Sequence, residues 1–282
     1  MEFNSSGGRG LAAHVRAHLS ELRDAEARVA QVVLDKGAEL VHLSVSDVAQ
    51  LAGAAPSSVV RACQRLGFRG YQELKIAAAR EAPASPPSSE ADPAARALAE
   101  TVRSAREALD GLASTLALDA LRDAAAALDT APRVLVVGAG LSGAVALDTA
   151  YRLRALGCVV DAPADPLTAQ LAAGLLPPSA VCLAISHTGA TRTTVDAARR
   201  ARTAGATVLA LTSYARSPLS EISTRTLVAG GQDRIFGLET VASRLAHLAA
   251  VDALCQTLLA VRGAEADKGL AMSSDVTADH TY

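Results

Sequence analysis

The chain has 282 residues, half of them apolar, with 2% aromatic residues, no Trp and a formal net charge of −2. That length accommodates two domains with cores of Ala, Leu and Val. The near-neutral balance excludes a nucleic-acid surface spread over the whole molecule, so any such surface is a local patch. Cys63, Cys158, Cys182 and Cys255 are scattered, with no C-x-x-C or Cys/His pair at zinc spacing. This pattern argues against a metal site and for buried free thiols in a reducing compartment. The opening MEFNSSGGRG lacks the apolar run of a signal peptide, and no segment reaches ~18 uninterrupted apolar residues. A cytoplasmic location without a membrane partner is therefore expected.

Helical periodicity runs through Leu11–Leu19, Asp24–Asp35 and Val45–Leu51, with Val29, Val32 and Val33 on one face. Gly37 stops the second helix, and Ser44 with Asp47 forms a capping-box pattern at the start of the third. AQLAGAAPSSVVRACQRLGF reads as two helical halves hinged at Gly53-Ala54-Ala55, with Pro56 in the first turn of the second half and Gly67 ending it. REAPASPPSSEADPAAR is a stiff, proline-rich linker. The expected organisation is a helical domain over 1–81, a linker over 82–93, a second domain over 94–262 and a polar, mobile tail over 263–282.

In the second domain, Pro93–Asp110 and Leu118–Leu128 read as helices, after which strand and helix alternate. The strands are Val134–Val137, Cys158–Asp161, Val181–Ile185, Thr207–Leu211 and Arg225–Val228. The helices between and after them are Ser142–Leu156, Leu167–Leu175, Arg192–Ala204 and Leu238–Val261. Short apolar runs separated by amphipathic helices imply a parallel sheet covered on both faces.

Two short helices across a tight turn of small residues fit a helix-turn-helix, whose second helix enters a major groove by its N-terminal end. Ser57 and Ser58 stand at that end, and Arg61 and Arg65 follow at one and two turns. Between Pro56 and Arg80 the cations Arg61, Arg65, Arg69, Lys75 and Arg80 oppose only Glu73, a local excess suited to phosphate neutralisation. The segment SVSDVAQLAGAAPSSVVRACQRLGFRGYQELK resembles the N-terminal domain of RpiR-type bacterial transcriptional regulators. The family pattern is A-x-x-A-G-V-S, then T-V-x-R-x-x-x-x-L-G-[FY]-x-G-[FY]-x-E-L-K. Ala55 and Ser58 depart from it, standing where the family has a capping Ser and a Thr. The resemblance implies operator DNA as partner, with Ser57, Ser58 and Arg61 at base edges, Arg65 and Lys75 at phosphate, and Val59, Val60, Leu66, Phe68 and Leu74 in the core.

RVLVVGAGLSGAV places Gly138, Gly140 and Gly143 at G-x-G-x-x-G spacing after a strand, with Asp161 close to the ~20-residue distance of a ribose-binding acid. That favours a dinucleotide. VCLAISHTGATRTT favours a phosphate instead: Ser186, His187, Thr188, Gly189 and Thr191 lie between a strand end and a helix start, an anion-binding position. SHTGAT resembles the S-x-S-G-x-T loop of SIS (sugar isomerase) domains, GAGLSG their first loop, and VLALTSYARSPLSEIS their V-I-A-I-T-x-x-x-x-S-P-L-A strand and loop. Ala190 stands where that family often has Glu.

The resemblance implies a three-layer, flavodoxin-like α/β sandwich with a five-stranded parallel sheet, and a homodimer or tetramer. A phosphorylated sugar or related metabolite would be held by Gly140, Ser142, Ser186, His187, Thr188 and Thr191. His187 reads as a loop contact, Glu239 as an acid in the first turn of the last helix, and Arg192 as either a phosphate partner or a solvated side chain. No catalytic residue, metal or cofactor is assigned. The leading expectation is a transcriptional regulator, by family habit a repressor, that answers to a phosphosugar. The alternatives are a phosphosugar isomerase with an accessory helical domain and an NADH-sensing regulator.

Overall fold

The computed structural model describes residues 11–81, 92–230 and 241–280, and residues 82–91 of the expected linker and Glu239 lie outside that range. The chain divides into two compact units, the first running to Ser104 and the second beginning at Ala105.

The first unit is helical: α1 (Leu11–His18), α2 (Asp24–Lys36), α3 (Val45–Leu51), α4 (Pro56–Arg65) and α5 (Tyr71–Glu81). Its core gathers Val29, Val33, Leu40, Val48, Val59, Leu66, Phe68 and Leu74. The capping box forms as expected, with Asp47 N donating to Ser44 Oγ at 3.1 Å and Ser44 N donating to Asp47 Oδ2 at 2.9 Å. Ala55 at the N-cap of α4 offers no side-chain cap, and Pro56 occupies the first turn, where a missing donor is harmless. Val60 is exposed, which corrects its expected place in the core.

The helix α6 (Pro93–Thr115) precedes the second unit's repeating layers: α7 (Leu118–Thr130), β1 (Val134–Gly138), α8 (Leu141–Ala155), β2 (Val160–Asp161), α9 (Pro166–Gly174), β3 (Val181–Ile185), α10 (Arg192–Thr203), β4 (Thr207–Thr212), β5 (Arg225–Val228), α11 (Val241–Arg262) and α12 (Ala264–Ala278). The five strands are all parallel, in the order β2-β1-β3-β4-β5.

Side chains alternate across the sheet, as a period of two requires. Val134, Val136, Leu183, Leu209 and Leu211 face α7, α8 and α11, whereas Leu135, Val137, Cys182, Ala184, Val208 and Ala210 face α9 and α10. Both faces are covered, so the strands read as continuous apolar runs.

The tail expected to be mobile is corrected to a helix. In α12, Ala266 is fully buried, and a Cβ at Gly269 would stand 2.6 Å from the Ala155 carbonyl, so the two backbones meet closely. α11 is long and apolar enough over Ser243–Arg262 to cross a membrane. Its Ala250, Val251, Leu254 and Leu258 are, however, part of the sheet's core, as in a core helix of a globular unit.

All four cysteines are free and buried. Burial pushes the thiols of Cys63 and Cys182 up to about 12 and that of Cys255 to about 11. Burial also raises Cys158, although the Arg262 guanidinium beside it acts in the opposite sense. Thiolate is the reactive form. A thiol-specific disulfide reagent near neutral pH is therefore expected to label the native protein only at the rate of its opening, and fully once urea is added. A fast-reacting thiol in the native state would contradict this.

Candidate functional site

The helical unit builds one candidate surface on α4. Ser57, Val60, Arg61, Gln64 and Arg65 are exposed and recur at helical spacing along one face. Arg28 fixes the preceding turn, donating from Nε to Ala52 O at 2.8 Å and from Nη2 to Gly53 O at 3.0 Å, so the carbonyls just past the end of α3 are satisfied.

The structure separates the expected DNA contacts. Ser57 and Arg61 are exposed on the face. Ser58 is buried and accepts from Arg61 Nη2 at 2.9 Å, so it supports the arginine from within. Arg65 lies against Glu26 at 3.1 Å and donates to Glu21 O at 3.2 Å. Lys75 is corrected outright: it is 2% exposed, with Nζ 5.8 Å from the Tyr71 ring centroid. A phosphate contact needs an accessible ammonium, which this lysine does not present.

The second unit builds the other candidate site. β1 and β3 are neighbours, but the chain leaves them for opposite faces: α8 packs with α7 and α11, and α10 packs with α9. This divergence opens a crevice at the carboxyl ends of the strands, the place where open α/β sheets bind ligands. Both departing helices start there without a side-chain cap, α8 after Gly140 and α10 after Thr191. Their first amides and the positive ends of their dipoles suit an anion.

Hydroxyls line the crevice from both sides. His187 N donates to Ser142 Oγ at 3.4 Å, joining the first turn of α8 to the loop after β3. Ser186 is fully buried and donates to Thr191 Oγ1 at 3.0 Å. Thr188 Oγ1 accepts from Ala190 N at 3.2 Å. Of the residues expected for a phosphate, Ser142, His187, Thr188 and Thr191 are part-exposed, with Gly140 at the entry of α8, whereas Ser186 is fully buried with its hydroxyl on Thr191 and supports the loop from within. Arg192 does not join them as a buried partner, since its side chain is 94% exposed and its nearest carboxylate is Asp196 at 3.7 Å.

Sequence reading missed two members. Ser213, just past β4, stands within hydrogen-bond distance of two imidazoles: His187 Nδ1 at 2.8 Å and His247 Nε2 at 3.0 Å. A hydroxyl at a strand tip is a legible signal for Ser213, by the same rule that singled out Ser186. No spacing announces His247, which is 1% exposed on α11 and meets the loop only in three dimensions.

Of the fingerprint glycines, Gly138 serves packing, and Gly140 takes a positive φ of 59° at the entry of α8. A Cβ on Gly138 would stand 2.6 Å from Ser142 O, so this residue admits α8 onto β1. Asp161, the candidate ribose acid, instead receives Arg133 Nε at 2.8 Å in a half-exposed ion pair.

A helix-turn-helix domain of the rpiR family matches residues 9–85, and a SIS domain matches residues 127–256. The HTH-type transcriptional regulator HexR of Pseudomonas aeruginosa is 29% identical over 274 residues, which are 91% of this chain and 92% of that protein. An uncharacterized HTH-type transcriptional regulator of Caldanaerobacter subterraneus subsp. tengcongensis is 28% identical over 247 residues, 85% of this chain and 87% of that one. The Vibrio vulnificus NanR protein complexed with ManNAc-6P shares the fold, with a TM-score of 0.82 at 24% identity over 97% of this chain and 100% of that one. With its two domains in this order, the chain belongs to the RpiR-type transcriptional regulators, a helix-turn-helix domain followed by a SIS domain.

Proposed function

We propose that the protein reads operator DNA with the exposed face of α4 and binds a phosphorylated sugar, without turning it over, at the tips of β1 and β3. A regulator of this kind works in the cytoplasm as a homodimer, its paired reading helices set for half-sites ~34 Å apart or a multiple of that. Ser57 and Arg61 meet base edges, and Arg65 meets phosphate. The observation that carries the sensor reading is the Ser142 Oγ to His187 N contact of 3.4 Å, which brings the hydroxyls and helix starts of two strand tips to one place. ManNAc-6P, the compound bound to NanR, is a ligand of the expected chemistry.

The test is thermal shift with a panel of sugar phosphates and their unphosphorylated counterparts, because a ligand of the native state raises the melting temperature. A phosphate-dependent rise is expected with at least one member, and none with NADH. Ser142→Ala should weaken that ligand about 10-fold, the scale of one hydrogen bond to a charged group. Full affinity in Ser142→Ala, a shift with NADH alone, or isomerase turnover of the bound sugar would each overturn the reading.

A further inference from the structure

Glu26 is 3% exposed in α2, where an unpaired carboxylate would be costly. Three donors surround it. Arg23 N donates to Oε2 at 3.0 Å, Arg65 Nε stands 3.1 Å from Oε2, and Arg61 Nε stands 3.8 Å from Oε1. The two arginines are held differently. Arg65 is fixed between Glu26 and the Glu21 carbonyl. Arg61 rests on the Ser58 hydroxyl at 2.9 Å and on the field of Glu26, with 57% of its side chain exposed.

A free arginine on a DNA-facing helix reaches any nearby phosphate, because its charge is attracted along the whole backbone. Phosphate contacts position a protein but carry no sequence information, whereas a guanidinium fixed in a plane can address a base edge. Arg65, a further turn along, has only phosphate within reach, whereas for Arg61, near the N-terminal end of α4 that enters the groove, a buried carboxylate behind the guanidinium favours the second outcome in two ways. It holds the side chain in place before DNA arrives, which reduces the ordering cost of binding. It also cancels part of the positive charge that would draw Arg61 to phosphate.

We propose that Glu26 is a positioning residue for sequence reading: its carboxylate, with the Ser58 hydroxyl, holds Arg61 above the exposed face of α4 so that the guanidinium meets a base edge in preference to phosphate. This rests on the proposed reading of Arg61 as a base contact. The test compares affinity for a footprinted operator fragment with affinity for a scrambled duplex of equal length, using the full-length protein over a range of salt.

Glu26→Gln keeps the shape and an acceptor for Arg23 N. It is expected to bind scrambled DNA more tightly, with a salt slope steeper by about one. Operator affinity should fall several-fold, so that the operator-to-scrambled ratio drops about 10-fold. A merely structural role would lower the melting temperature and leave that ratio unchanged. In an Arg61→Ala background, Glu26→Gln should no longer alter the ratio. Ser58→Ala suits a helix and should lower the ratio in the same direction, which decides the matter should Glu26→Gln fail to fold. A folded Glu26→Gln or Ser58→Ala protein with a ratio within twofold of the parent overturns the proposal. If Arg61→Ala alone leaves operator binding unchanged, the base-contact reading falls and takes the proposal with it. If Arg61→Ala weakens binding while the two supporting variants do not, only the positioning role is lost.

Discussion

Gly189→Ala is expected to destabilise the protein by about 4 kcal/mol and to abolish phosphosugar binding, by two separate costs. Gly189 has φ +60°, where an L-residue's Cβ is penalised by roughly 1–2 kcal/mol. The added methyl would also overlap the Ser217 side chain and stand 3.0 Å from Thr212 Oγ1. Neither neighbour can withdraw freely. Ser217 is fully buried, with its N donating to Ser220 Oγ at 2.8 Å and its Oγ accepting from Ser220 N at 3.2 Å. Thr212 Oγ1 donates to His187 O at 3.0 Å, so moving it disturbs the ligand loop directly. Overpacking of this kind costs about 1–3 kcal/mol more. Urea denaturation measures the sum. Gly174→Ala is the control, because that glycine has no positive φ and a Cβ there would meet nothing within 4 Å. It should fall within about half a kcal/mol of the parent, the range of ordinary surface changes. A Gly189→Ala protein within about 1 kcal/mol of the parent would show that the loop is not built as described.

The contrast between these two glycines illustrates what sequence alone conveys. The strands were legible because both faces of the sheet are covered, which forces apolar runs such as Val134–Val137 and Val181–Ile185. The order β2-β1-β3-β4-β5 places the crevice between β1 and β3, and both loops there carry hydroxyls visible in the sequence. The expectation that Gly140, Ser142, Ser186, His187, Thr188 and Thr191 act together comes from the resemblance to SIS loops, and the topology gives its physical reason.

Other features were hidden for definite reasons. Lys75 counts as a cation in any charge tally, yet its aliphatic stem lets it enter the helical core beside Tyr71. Val60 has the composition of a core residue, but the phase of α4 turns it outward beside Arg61. The final helix α12 has a polar sequence and no clear apolar stripe. It is anchored by small residues, Ala266 and Gly269, whose value is close approach and not hydrophobicity. Glu26 looks like an ordinary acid in the first turn of a helix, and only the fold reveals that Arg61 and Arg65 converge on it.

Ser213→Ala is expected to cost about 3 kcal/mol, more than an ordinary hydroxyl deletion, because one oxygen serves three partners. The hydroxyl donates to Ala229 O at 3.1 Å, which commits its single proton. His187 Nδ1 at 2.8 Å and His247 Nε2 at 3.0 Å lie within hydrogen-bond distance of the same oxygen. Alanine would remove this partner from two imidazole nitrogens and from the Ala229 carbonyl, at about 1–3 kcal/mol for each group that stays dry. His247 is 1% exposed and cannot turn to water, whereas the part-exposed His187 can. The loop backbone stays tied, since Ser213 N and Thr212 Oγ1 both donate to His187 O at 3.0 Å. The variant should therefore fold with a lower melting temperature and lose the fixed orientation of the His187 ring, and with it several-fold of its phosphosugar affinity. His247→Gln, whose amide can still hydrogen-bond to Ser213, should retain more stability than Ser213→Ala. If Ser213→Ala matches the parent within about half a kcal/mol, the hydroxyl does not bridge the two imidazoles in solution, and the ligand loop is held to the sheet by its backbone alone.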